Sequence, residues 1–545
     1  MVDPSRRHWN FADVWETIAE AIPDEPALVH GAERRTWAEL DRRATAVART
    51  LVAHGAQPQD KVAQYLYNGN EYIEALFATM KAGLVPVNSN YRYLDGELVY
   101  LWDNADVVAV VLHGALAERV EHIRAQLPRI ALWLWVDDGS GSCPSWAVPF
   151  EEAAAANGPP LRDARSDDDL LLLYTGGTTG MPKGVMWRQD DLYNSFSQGL
   201  WKDPTSLALD AVRERVTTRR RPVGLPACPL MHGTGLFGAM ASLSQGGSVV
   251  TLPKRSFDVD ELLTTIDAEH VNIVSLVGEA FAKPMVDALD AEPTRWHLGS
   301  LVAIVSSGVM LSESTKRSLL QRQPRLRIVD ALSSSEALGI AQSVSTADRP
   351  AATARFSLAD GARVVTEDGR DVEPGSGEVG LVAVAGYQPI GYYKDPDKSA
   401  STFRLIDGVR HSVPGDYATV EADGTLTLLG RGSASVNTGG EKVFPEEVEE
   451  VLKEHPSVRD AAVVGLPDAR FGEVVVVVVE AAAGHTVDAT ELRDHARAHL
   501  AAYKAPRHVV VVDSLGRGAN GKLAYARLRE QAAQLMSEMA EEARP

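Results

Sequence analysis

Apolar and polar positions in the first half of the chain alternate between two kinds of segment. Short apolar runs, such as residues 107–113 and 170–174, predict buried strands, whereas apolar residues spaced three or four apart, as in residues 70–82, predict amphipathic helices. Helix and strand signals follow each other in turn, which predicts parallel sheets covered by helices. Residues 10–55 predict two amphipathic helices around a short hairpin.

The pattern changes after residue 360. Residues 363–385 and 413–429 consist of short strands with turns at EDG and EPGSG, which predicts a small β subdomain. The C-terminal part alternates again, with helices predicted over 445–454 and 490–503 and strands over 458–464, 474–480 and 508–512. Thr490 is the predicted N-cap of the second of these helices. About 110 residues is a natural size for a separate α/β domain.

Composition and charge narrow the class of protein. The 545 residues are 45% hydrophobic and 23% charged, which is ordinary for a globular protein with more than one core. The formal net charge of -20 argues against non-specific binding to nucleic acid or to an anionic membrane. No apolar run reaches the length of a membrane span, so we expect no integral membrane association.

The two cysteines and the N-terminus predict a cytoplasmic setting. Cys143 and Cys228 form no C-x-x-C pair, so a disulfide framework or a cysteine metal site is not expected. The first sixteen residues, MVDPSRRHWNFADVWE, contain no apolar segment of the kind found in a secretory signal. We therefore expect a reduced, cytoplasmic protein.

The candidate chemistry is centred on the loop that follows the apolar run 170–174. The loop is built from threonine, glycine and lysine: Thr175, Gly176, Gly177, Thr178, Thr179, Gly180 and Lys183. Glycines let the backbone approach a ligand, hydroxyls add donors and the lysine adds positive charge, which together predict a cradle for a polyphosphate. Gly184 stands where the standard nucleotide P-loop has Ser or Thr, so this is a different phosphate loop. A flexible surface loop is the alternative.

The segment YTGGTTGMPKGV, residues 174–185, resembles the signature loop of the adenylate-forming superfamily, which includes acyl-CoA synthetases, peptide-synthetase adenylation domains and firefly luciferase. Further motifs follow in that superfamily's order, so the resemblance covers nearly the whole chain. It implies an α/β fold: a large N-terminal domain (1–431) of two helix-covered sheets plus the small β subdomain, a hinge, and a small mobile α+β C-terminal domain (432–545).

The resemblance also implies which residues bind ATP. In SSSE, residues 333–336, Glu336 would hold Mg²⁺, with Ser334 and Ser335 beside it, and a carboxylate oxygen is a ligand that Mg²⁺ prefers. In SSGVM, Ser307 and Gly308 would flank the adenine. In VPGDYA, Asp416 would accept hydrogen bonds from the two ribose hydroxyls.

Motifs near the C-terminus supply the other implied roles. In GRGSASVNTGGEKVFPEEVE, Arg431 would contact ribose or phosphate and Ser433 falls at the hinge. In the same stretch, Gly439, Gly440 and Glu441 match a loop that approaches CoA. Lys522 matches the catalytic lysine, whose ammonium would offset negative charge in the transition state of adenylation.

His232, in PLMHGTG, resembles the histidine beside the acyl site of acyl-CoA synthetases. The chain departs from the superfamily pattern at Leu332, Ser333, Pro414, Ser433, Ala434 and Gly516. Most motifs taken singly have an ordinary alternative: a turn for SSGVM or GD, a surface position for Glu336 or Lys522, and a structural role for His232. The assignments therefore rest on the order of the motifs along the chain.

The implied function is that of an acyl-CoA synthetase using ATP, Mg²⁺ and CoA. The acid would form acyl-AMP and pyrophosphate, and CoA would then displace AMP. Several stretches, including MPKGVMWRQDDLY, look most like actinobacterial acyl-CoA synthetases, some of which activate bulky acids. The small pocket candidates Gly233, Gly235, Gly238 and Ala280 predict room for a bulky polycyclic, terpenoid or steroid-like acid.

Three alternatives remain for the function. The first is a medium- or long-chain fatty acid CoA ligase. The second is an acyl-AMP ligase that only adenylates or that delivers to a carrier protein, which the altered hinge allows. The third is a non-catalytic nucleotide-binding homologue, against which the joint presence of Lys183, Glu336 and Lys522 argues.

A cluster of arginines lies before the PLMHGTG motif: Arg213, Arg215, Arg219, Arg220 and Arg221. Most such charge runs are solvated surface, and that is the favoured interpretation. The alternative is a site for the 3′-phosphate of CoA.

Overall fold

The computed structural model describes most of the chain. The described residues are 9–158, 161, 165–175, 181–197, 209–308, 311–349, 355–431, 435–438, 441–468, 472–500, 502–518 and 523–542. Several site predictions lie outside them, namely those on Gly176, Gly177, Thr178, Thr179, Gly180, Ser433, Gly439, Gly440 and Lys522. Arg431 and Glu441 are described as backbone positions in strands.

The first of three sheets in the described part of the chain has fifteen strands. They are β1 (Pro26–His30), β2 (Glu33–Thr36), β10 (Val223–Pro226), β11 (Ser248–Thr251), β12 (Ile273–Leu276), β13 (Ala303–Ser307), β14 (Arg327–Ser334), β15 (Ala337–Ser345), β16 (Arg355–Leu358), β17 (Ala362–Val365), β18 (Gly380–Val384), β20 (Phe403–Ile406), β21 (Val409–Ser412), β22 (Asp416–Val420) and β23 (Leu426–Arg431). The hydrogen-bonded order is β2-β1-β11-β10-β12-β13-β14-β15-β16-β23-β22-β18-β21-β20, with β17 beside β18.

This sheet joins a parallel half to an antiparallel half. The pairs between β1 and β14 are parallel, and those from β14 onward are antiparallel. The short strands predicted over 363–385 and 413–429 belong to the antiparallel half. Strand β16 pairs with both β15 and β23, so the small β subdomain continues the first sheet.

The second sheet contains eight strands within the described residues. They are β3 (Lys61–Tyr65), β4 (Val85–Asn88), β5 (Val107–His113), β6 (Leu132–Val136), β7 (Val148–Pro149), β8 (Leu170–Thr175), β9 (Lys183–Arg188) and β19 (Gly391–Tyr392). The order is β19-β9-β8-β4-β3-β5-β6-β7, with antiparallel pairs only at β8–β9 and β9–β19. Central strands such as β5 and β8 are buried on both faces, which explains their continuous apolar runs.

Sixteen α-helices lie in the described residues. They are α1 (Phe11–Ala21), α2 (Trp37–Ala53), α3 (Asn70–Lys81), α4 (Asp95–Asn104), α5 (Ala117–Ile123), α6 (Phe150–Ala155), α7 (Gln189–Ser197), α8 (Leu209–Thr218), α9 (Gly233–Leu243), α10 (Val259–Ala268), α11 (Glu279–Ala291), α12 (Glu313–Arg322), α13 (Pro396–Thr402), α14 (Pro445–Lys453), α15 (Ala489–His499) and α16 (Tyr525–Glu542). Among these helices, none is both long and apolar enough to cross a lipid bilayer.

Two large apolar cores hold the helices against the sheets. One core joins α1, α2, α3 and α9 to β8 and β9, with Trp15, Phe77 and Trp187 all fully buried in it. The other packs α10, α11 and α12 against β10, β12 and β13. Burial of apolar side chains on this scale is the main stabilising contribution to such a fold.

The C-terminal part forms a third sheet from β24 (Val436–Thr438), β25 (Glu441–Val443), β26 (Val458–Asp468), β27 (Gly472–Ala481) and β28 (His508–Val512), with α14, α15 and α16 around it. The prediction of an α/β fold with a smaller C-terminal domain is confirmed. One cap prediction is wrong: Asp488, not Thr490, is the N-cap of α15, because its carboxylate accepts from the amides of Thr490 and Glu491.

Candidate active site

The two described ends of the phosphate loop lie side by side. Strands β8 and β9 are antiparallel, and their register places Thr175 opposite Lys183. Asn88 fixes the entry to the loop, because it accepts from the amide of Tyr174 (2.6 Å) and donates to its carbonyl (2.9 Å). A Cβ at Gly184 would lie 2.5 Å from the Tyr174 ring, which explains why glycine follows the lysine.

Lys183 already has a carboxylate partner. Its ammonium forms an ion pair with Asp395, and the lysine side chain remains 43% exposed. Lys183 holds the pKa of Asp395 below its usual range, with help from the amide of Lys398. The other carboxylate oxygen of Asp395 caps α13 through that amide. A triphosphate bound at the loop could reach the Lys183 ammonium, but it would compete with Asp395 for that charge.

Glu336 lies in the turn between β14 and β15, and three other strands hold it. The Tyr392 hydroxyl donates to Glu336 Oε1 (2.8 Å), and the Ser412 hydroxyl donates to the Glu336 carbonyl (2.7 Å). The indole of Trp187 donates to the neighbouring Ser335 carbonyl (2.9 Å). Ser334 accepts from the amide of Glu336 (3.3 Å). The Glu336 side chain is half-buried, so it is fixed and still accessible.

The chemistry of this position fits Mg²⁺. Glu336 offers carboxylate oxygens, and Oε2 accepts no hydrogen bond from any described residue. Among the described residues there is no cluster of three or more His, Cys, Asp or Glu side chains that would form a complete metal site. A single carboxylate that shares the ion with substrate phosphates is the usual mode for Mg²⁺, so the residues present fit the ion.

The predicted adenine loop and the magnesium candidate follow neighbouring strands. Ser307 ends β13 and is paired with Ala331 of β14, the strand that leads to Glu336. Gly308 has a φ of +88°, a conformation that favours glycine. The ends of parallel strands meet at one edge of a sheet, where ligands of open α/β sheets bind.

A buried ion pair braces this edge from behind. Lys316 of α12 lies 2.5 Å from Asp330 of β14, and both side chains are almost fully buried. Asp330 also accepts from the amide of Leu311, just past the predicted adenine loop (3.3 Å). Burial raises the pKa of Asp330 and the charge of Lys316 opposes that rise. Breaking such a pair by removing one partner is strongly destabilising.

Asp416, predicted at the ribose, and Arg431, predicted at the ribose or a phosphate, are paired in neighbouring strands. Asp416 begins β22, is buried, and is the register partner of Arg431 at the end of β23. Gly415, before it, has a φ of +99°. The structure places the two residues side by side, and their role at the ribose stays a prediction.

Glu446 is a carboxylate beside this pair that the sequence analysis missed. It lies in the first turn of α14, and its side chain contacts Gly430, where an added Cβ would lie 2.0 Å from Glu446 Oε2. That oxygen is buried and has no hydrogen-bond partner among the described residues. Burial, then the charges of Glu449 and Asp416, raise the pKa of Glu446 to about 8. The sequence signal for it is weak, because Glu446 is one of four glutamates in α14.

His232 and the phosphate loop are connected through Asn88. His232 precedes α9 as its N-cap and is half-buried. Asn88 donates both to the Met231 carbonyl (2.7 Å) and to the Tyr174 carbonyl, so one buried amide joins the acyl-site candidate to the phosphate loop. Asn88 was missed because its contacts are 86 and 143 positions away along the chain.

The glycines near His232 have a packing role that the sequence analysis did not foresee. A Cβ at Gly235 would lie 2.4 Å from the Pro229 carbonyl oxygen, and one at Gly238 would lie 2.5 Å from Ser275 Oγ. These two glycines therefore allow α9 to pack closely against the segments that contain Pro229 and Ser275. The inference that they supply free space for a wide acid is wrong.

Two arginines of the cluster before this motif pair with carboxylates. Arg213 pairs with Glu20 and Asp210, and Arg221 pairs with Glu25. Arg215 donates to Gln245. These contacts dock α8 and the segment after it onto the N-terminal part, in agreement with the favoured interpretation as surface.

Two family models match the chain. The AMP-binding enzyme model matches residues 15–393, and the AMP-binding enzyme C-terminal domain model matches residues 447–522. The chain belongs to the AMP-binding enzyme family. The predicted superfamily is therefore confirmed. The predicted boundary at residues 431/432 falls between the two matches and stays a prediction.

Relatives of this AMP-binding enzyme are CoA ligases. It is 41% identical over 96% of both chains to the medium/long-chain-fatty-acid–CoA/3-oxocholest-4-en-26-oate–CoA ligase of Mycobacterium tuberculosis. It is 40% identical over 96% of both chains to the 3-oxocholest-4-en-26-oate–CoA ligase of Rhodococcus rhodochrous. These relatives confirm the predicted enzyme class, an AMP-forming acid–thiol ligase.

A solved structure shares the fold. The anthranilate CoA ligase AuaEII in complex with anthranoyl-AMP superimposes with a TM-score of 0.82 at 22% identity, covering 97% of this chain and 98% of that one. At that identity the likeness concerns the fold alone. It confirms the predicted α/β architecture over nearly the full length.

Proposed function

We propose that this AMP-binding enzyme is an acyl-CoA synthetase that activates a bulky polycyclic acid of the steroid class. The acid would become acyl-AMP with release of pyrophosphate, and CoA would then take the acyl group with release of AMP. The observation that carries the substrate class is the 40–41% identity, over 96% of both chains, to ligases named for 3-oxocholest-4-en-26-oate.

The described residues support the adenylation half of this proposal. Lys183 and Thr175 would bind the β- and γ-phosphates, and Ser307 with Gly308 would flank the adenine. Asp416 would bind the ribose, and Arg431 would contact the ribose or a phosphate. In such a reaction most of the rate comes from positioning and from electrostatic stabilisation, which fits side chains held by several strands at once.

Mg²⁺ would be held by Glu336, with Ser334 and Ser335 beside it, and would neutralise phosphate charge when bound. The protein's own contribution is to keep the Glu336 carboxylate in place through Tyr392 and the Glu336 backbone in place through Ser412. His232 would border the acyl site, next to the loop that Asn88 ties to it.

The remaining proposed roles fall on the C-terminal part. Lys522 would stabilise the adenylation transition state, and Gly439, Gly440 and Glu441 would approach CoA. Movement about Ser433 would exchange the two arrangements. A carrier protein in place of CoA is the competing acceptor. We further propose that the enzyme works in the cytoplasm, as expected from its cysteine content.

A fatty acid is the second candidate substrate. The mycobacterial relative is named for medium- and long-chain fatty acids as well as for the steroid acid, and a relative from Mycobacterium avium is named a medium-chain acyl-CoA ligase. A pocket that admits a steroid side chain is apolar and elongated, so both acids satisfy the same chemistry of recognition.

A product assay tests the proposal. The purified protein, ATP and Mg²⁺ would be incubated with 3-oxocholest-4-en-26-oate, fatty, aryl or diterpenoid acids, each with and without CoA, and the products identified by mass spectrometry. We expect steroid acyl-CoA to form with the highest kcat/KM. Fatty acyl-CoA alone would reassign the substrate, and acyl-AMP that persists with CoA would indicate a different acceptor.

A further inference from the structure

A short strand pair connects the phosphate-loop lysine to the magnesium candidate. Strand β9 begins at Lys183, and β19 pairs with it through Gly391↔Met186 and Tyr392↔Val185. The amides of Ile390 and Tyr393 extend the pairing on either side, donating to the carbonyls of Met186 (2.9 Å) and Gly184 (2.8 Å). Residues 390–393 therefore pair with the first half of β9, residues 184–186.

The position of Tyr392 is fixed by several independent contacts. Its amide donates to Ser399 Oγ (2.8 Å), and that hydroxyl donates to the Asp395 carbonyl (2.7 Å). Tyr392 is 6% exposed, and its ring lies 6.0 Å, centroid to centroid, from the ring of Phe403. At Gly391 a Cβ would lie 2.9 Å from Ser399 Oγ, so the chain passes closely under the start of α13.

The phenol of this fixed side chain ends on Glu336. Tyr392 OH donates to Oε1 at 2.8 Å, across 56 positions of sequence. The backbone of the turn has separate supports, because Ser412 binds the Glu336 carbonyl and Trp187 binds the Ser335 carbonyl. Tyr392 therefore restrains the carboxylate itself, and the turn does not depend on it.

We propose that Tyr392 is a positioning residue that orients the Glu336 carboxylate for the magnesium–ATP complex. This inference rests on the proposed function of Glu336. The phenol occupies Oε1 and leaves Oε2 for the cation. A neutral donor satisfies one oxygen without cancelling the negative charge, and a fixed carboxylate loses less rotamer freedom when the ion binds.

The chain supplies a matched control in the next residue. Tyr393 also donates its hydroxyl to a carboxylate at 2.8 Å, but that carboxylate is Asp106, outside the candidate site. Tyr392→Phe and Tyr393→Phe each remove one phenol hydroxyl and keep the ring. Any difference between them reports on Glu336 and not on the general loss of a tyrosine hydroxyl.

The test is calorimetric titration of ATP into the full-length protein, once with Mg²⁺ and once with EDTA. For Tyr392→Phe we expect the ATP affinity with Mg²⁺ to fall by about 10-fold, as is usual when the partner of a metal ligand is lost, and the affinity in EDTA to stay unchanged. Tyr393→Phe should match the wild type in both titrations.

Glu336→Gln separates a failure of this inference from a failure of the proposed function. If Glu336→Gln loses the magnesium dependence and Tyr392→Phe keeps it, the positioning role is overturned while the proposed site stands. If Glu336→Gln keeps the magnesium dependence, Glu336 is not the magnesium residue and both are overturned.

Ser399→Ala is a second variant for the same inference. It keeps the phenol and removes the hydroxyl that binds the Tyr392 amide, so the ATP affinity with Mg²⁺ should fall by less than in Tyr392→Phe. If Tyr392→Phe folds poorly, Ser399→Ala takes its place in the test.

Discussion

Glu336 and Glu446 are both carboxylates beside proposed nucleotide-binding residues, and the protein holds them in different ways. Glu336 receives a phenol hydroxyl on one oxygen and stays half-exposed. Glu446 has a buried oxygen that contacts Gly430 and, within the described part of the chain, accepts no hydrogen bond. Its pKa is raised to about 8. The Glu336 carboxylate is accessible and oriented, which suits cation binding, whereas the buried Glu446 is more stable in its protonated form.

The difference follows from where each contact is made. Glu336 lies within the N-terminal part, among hydrogen bonds between strands of the two large sheets. Glu446 lies where α14 meets β22 and β23, an interface that also contains the ring contact of Tyr417 with Phe444. A carboxylate held by several hydrogen bonds suits a fixed phosphate site, whereas Glu446 is a buried carboxylate whose raised pKa makes its contribution to stability depend on pH.

The largest expected effect comes from a residue of the C-terminal part. Lys522→Ala should lower the rate of acyl-AMP formation by about 100-fold or more, because its charge would be lost from the transition state. Pyrophosphate release measures this step. The exposed Lys283→Ala on α11 is the control and should keep full activity. Unchanged pyrophosphate release in Lys522→Ala would remove this lysine from the chemistry.

The phosphate loop should be nearly as sensitive to one added side chain. Gly184→Ser would bring a Cβ to 2.5 Å from the Tyr174 ring, so we expect about 1–3 kcal/mol of destabilisation and weaker ATP binding. Thermal unfolding and ATP titration measure the two effects. Gly141→Ser is the control, because a Cβ there meets nothing within 4 Å. Equal behaviour of the two variants would contradict the packing described here.

Glu446 predicts a pH dependence of stability. Its pKa in the folded protein lies above that of an unfolded glutamate, so the folded state binds the proton more tightly. The contribution of Glu446 to the free energy of unfolding is fully present below about pH 4.5, the pKa of glutamate in the unfolded chain. It is lost as the pH rises through about 8, the pKa in the folded protein. The groups that face it are Glu449 and Lys453 of α14, Asp416 of β22 and Tyr525 of α16.

Glu446→Gln tests that pH dependence. The amide cannot ionise, so the melting temperature of the variant should exceed that of the wild type at pH 8 by a few degrees, and the difference should shrink toward pH 5. The exposed Glu530→Gln is the control and should show no such trend. A difference that is the same at every pH would exclude a buried, protonated Glu446.

The smallest expected effect concerns Asp395. Asp395→Asn keeps an N-cap for α13 and removes the charge that competes for Lys183. Because the pair is partly exposed, ATP affinity in EDTA should rise by about 2- to 5-fold. Asp397→Asn, one residue into α13, is the control. A lower affinity in Asp395→Asn would mean that Asp395 positions Lys183 and does not compete for it.

The sequence predicted those parts of the fold that depend on local pattern. The apolar runs of β5 and β8 and the amphipathic helices near the N-terminus were recognisable because burial sets their periodicity. The link through β16 between the parallel and antiparallel halves could not be predicted, since it depends on pairing between distant strands. The cap of α15 was predicted at Thr490 instead of Asp488, because threonine and aspartate both suit an N-cap and the residue type alone does not decide between them.

The site was predictable only as far as its motifs are contiguous. Lys183 and Glu336 stand in recognisable stretches, whereas their partners do not. Asp395 lies 212 positions from Lys183, and Tyr392 lies 56 positions from Glu336. A single sequence gives no signal for such contacts, because they arise from the β9–β19 pairing. Gly235 and Gly238 of α9 show a different limit. Small residues in a sequence can indicate either an open pocket or close packing, and here the structure shows close packing.

The most direct test of the central claim follows an oxygen atom. The protein would be supplied with ATP, Mg²⁺, CoA and 3-oxocholest-4-en-26-oate labelled with ¹⁸O in its carboxylate, and the AMP analysed by mass spectrometry. The carboxylate oxygen that attacks the α-phosphate stays on AMP when the CoA thiol attacks the acyl carbon, so we predict one ¹⁸O per AMP. Steroid acyl-CoA formed together with unlabelled AMP would contradict an acyl-adenylate mechanism.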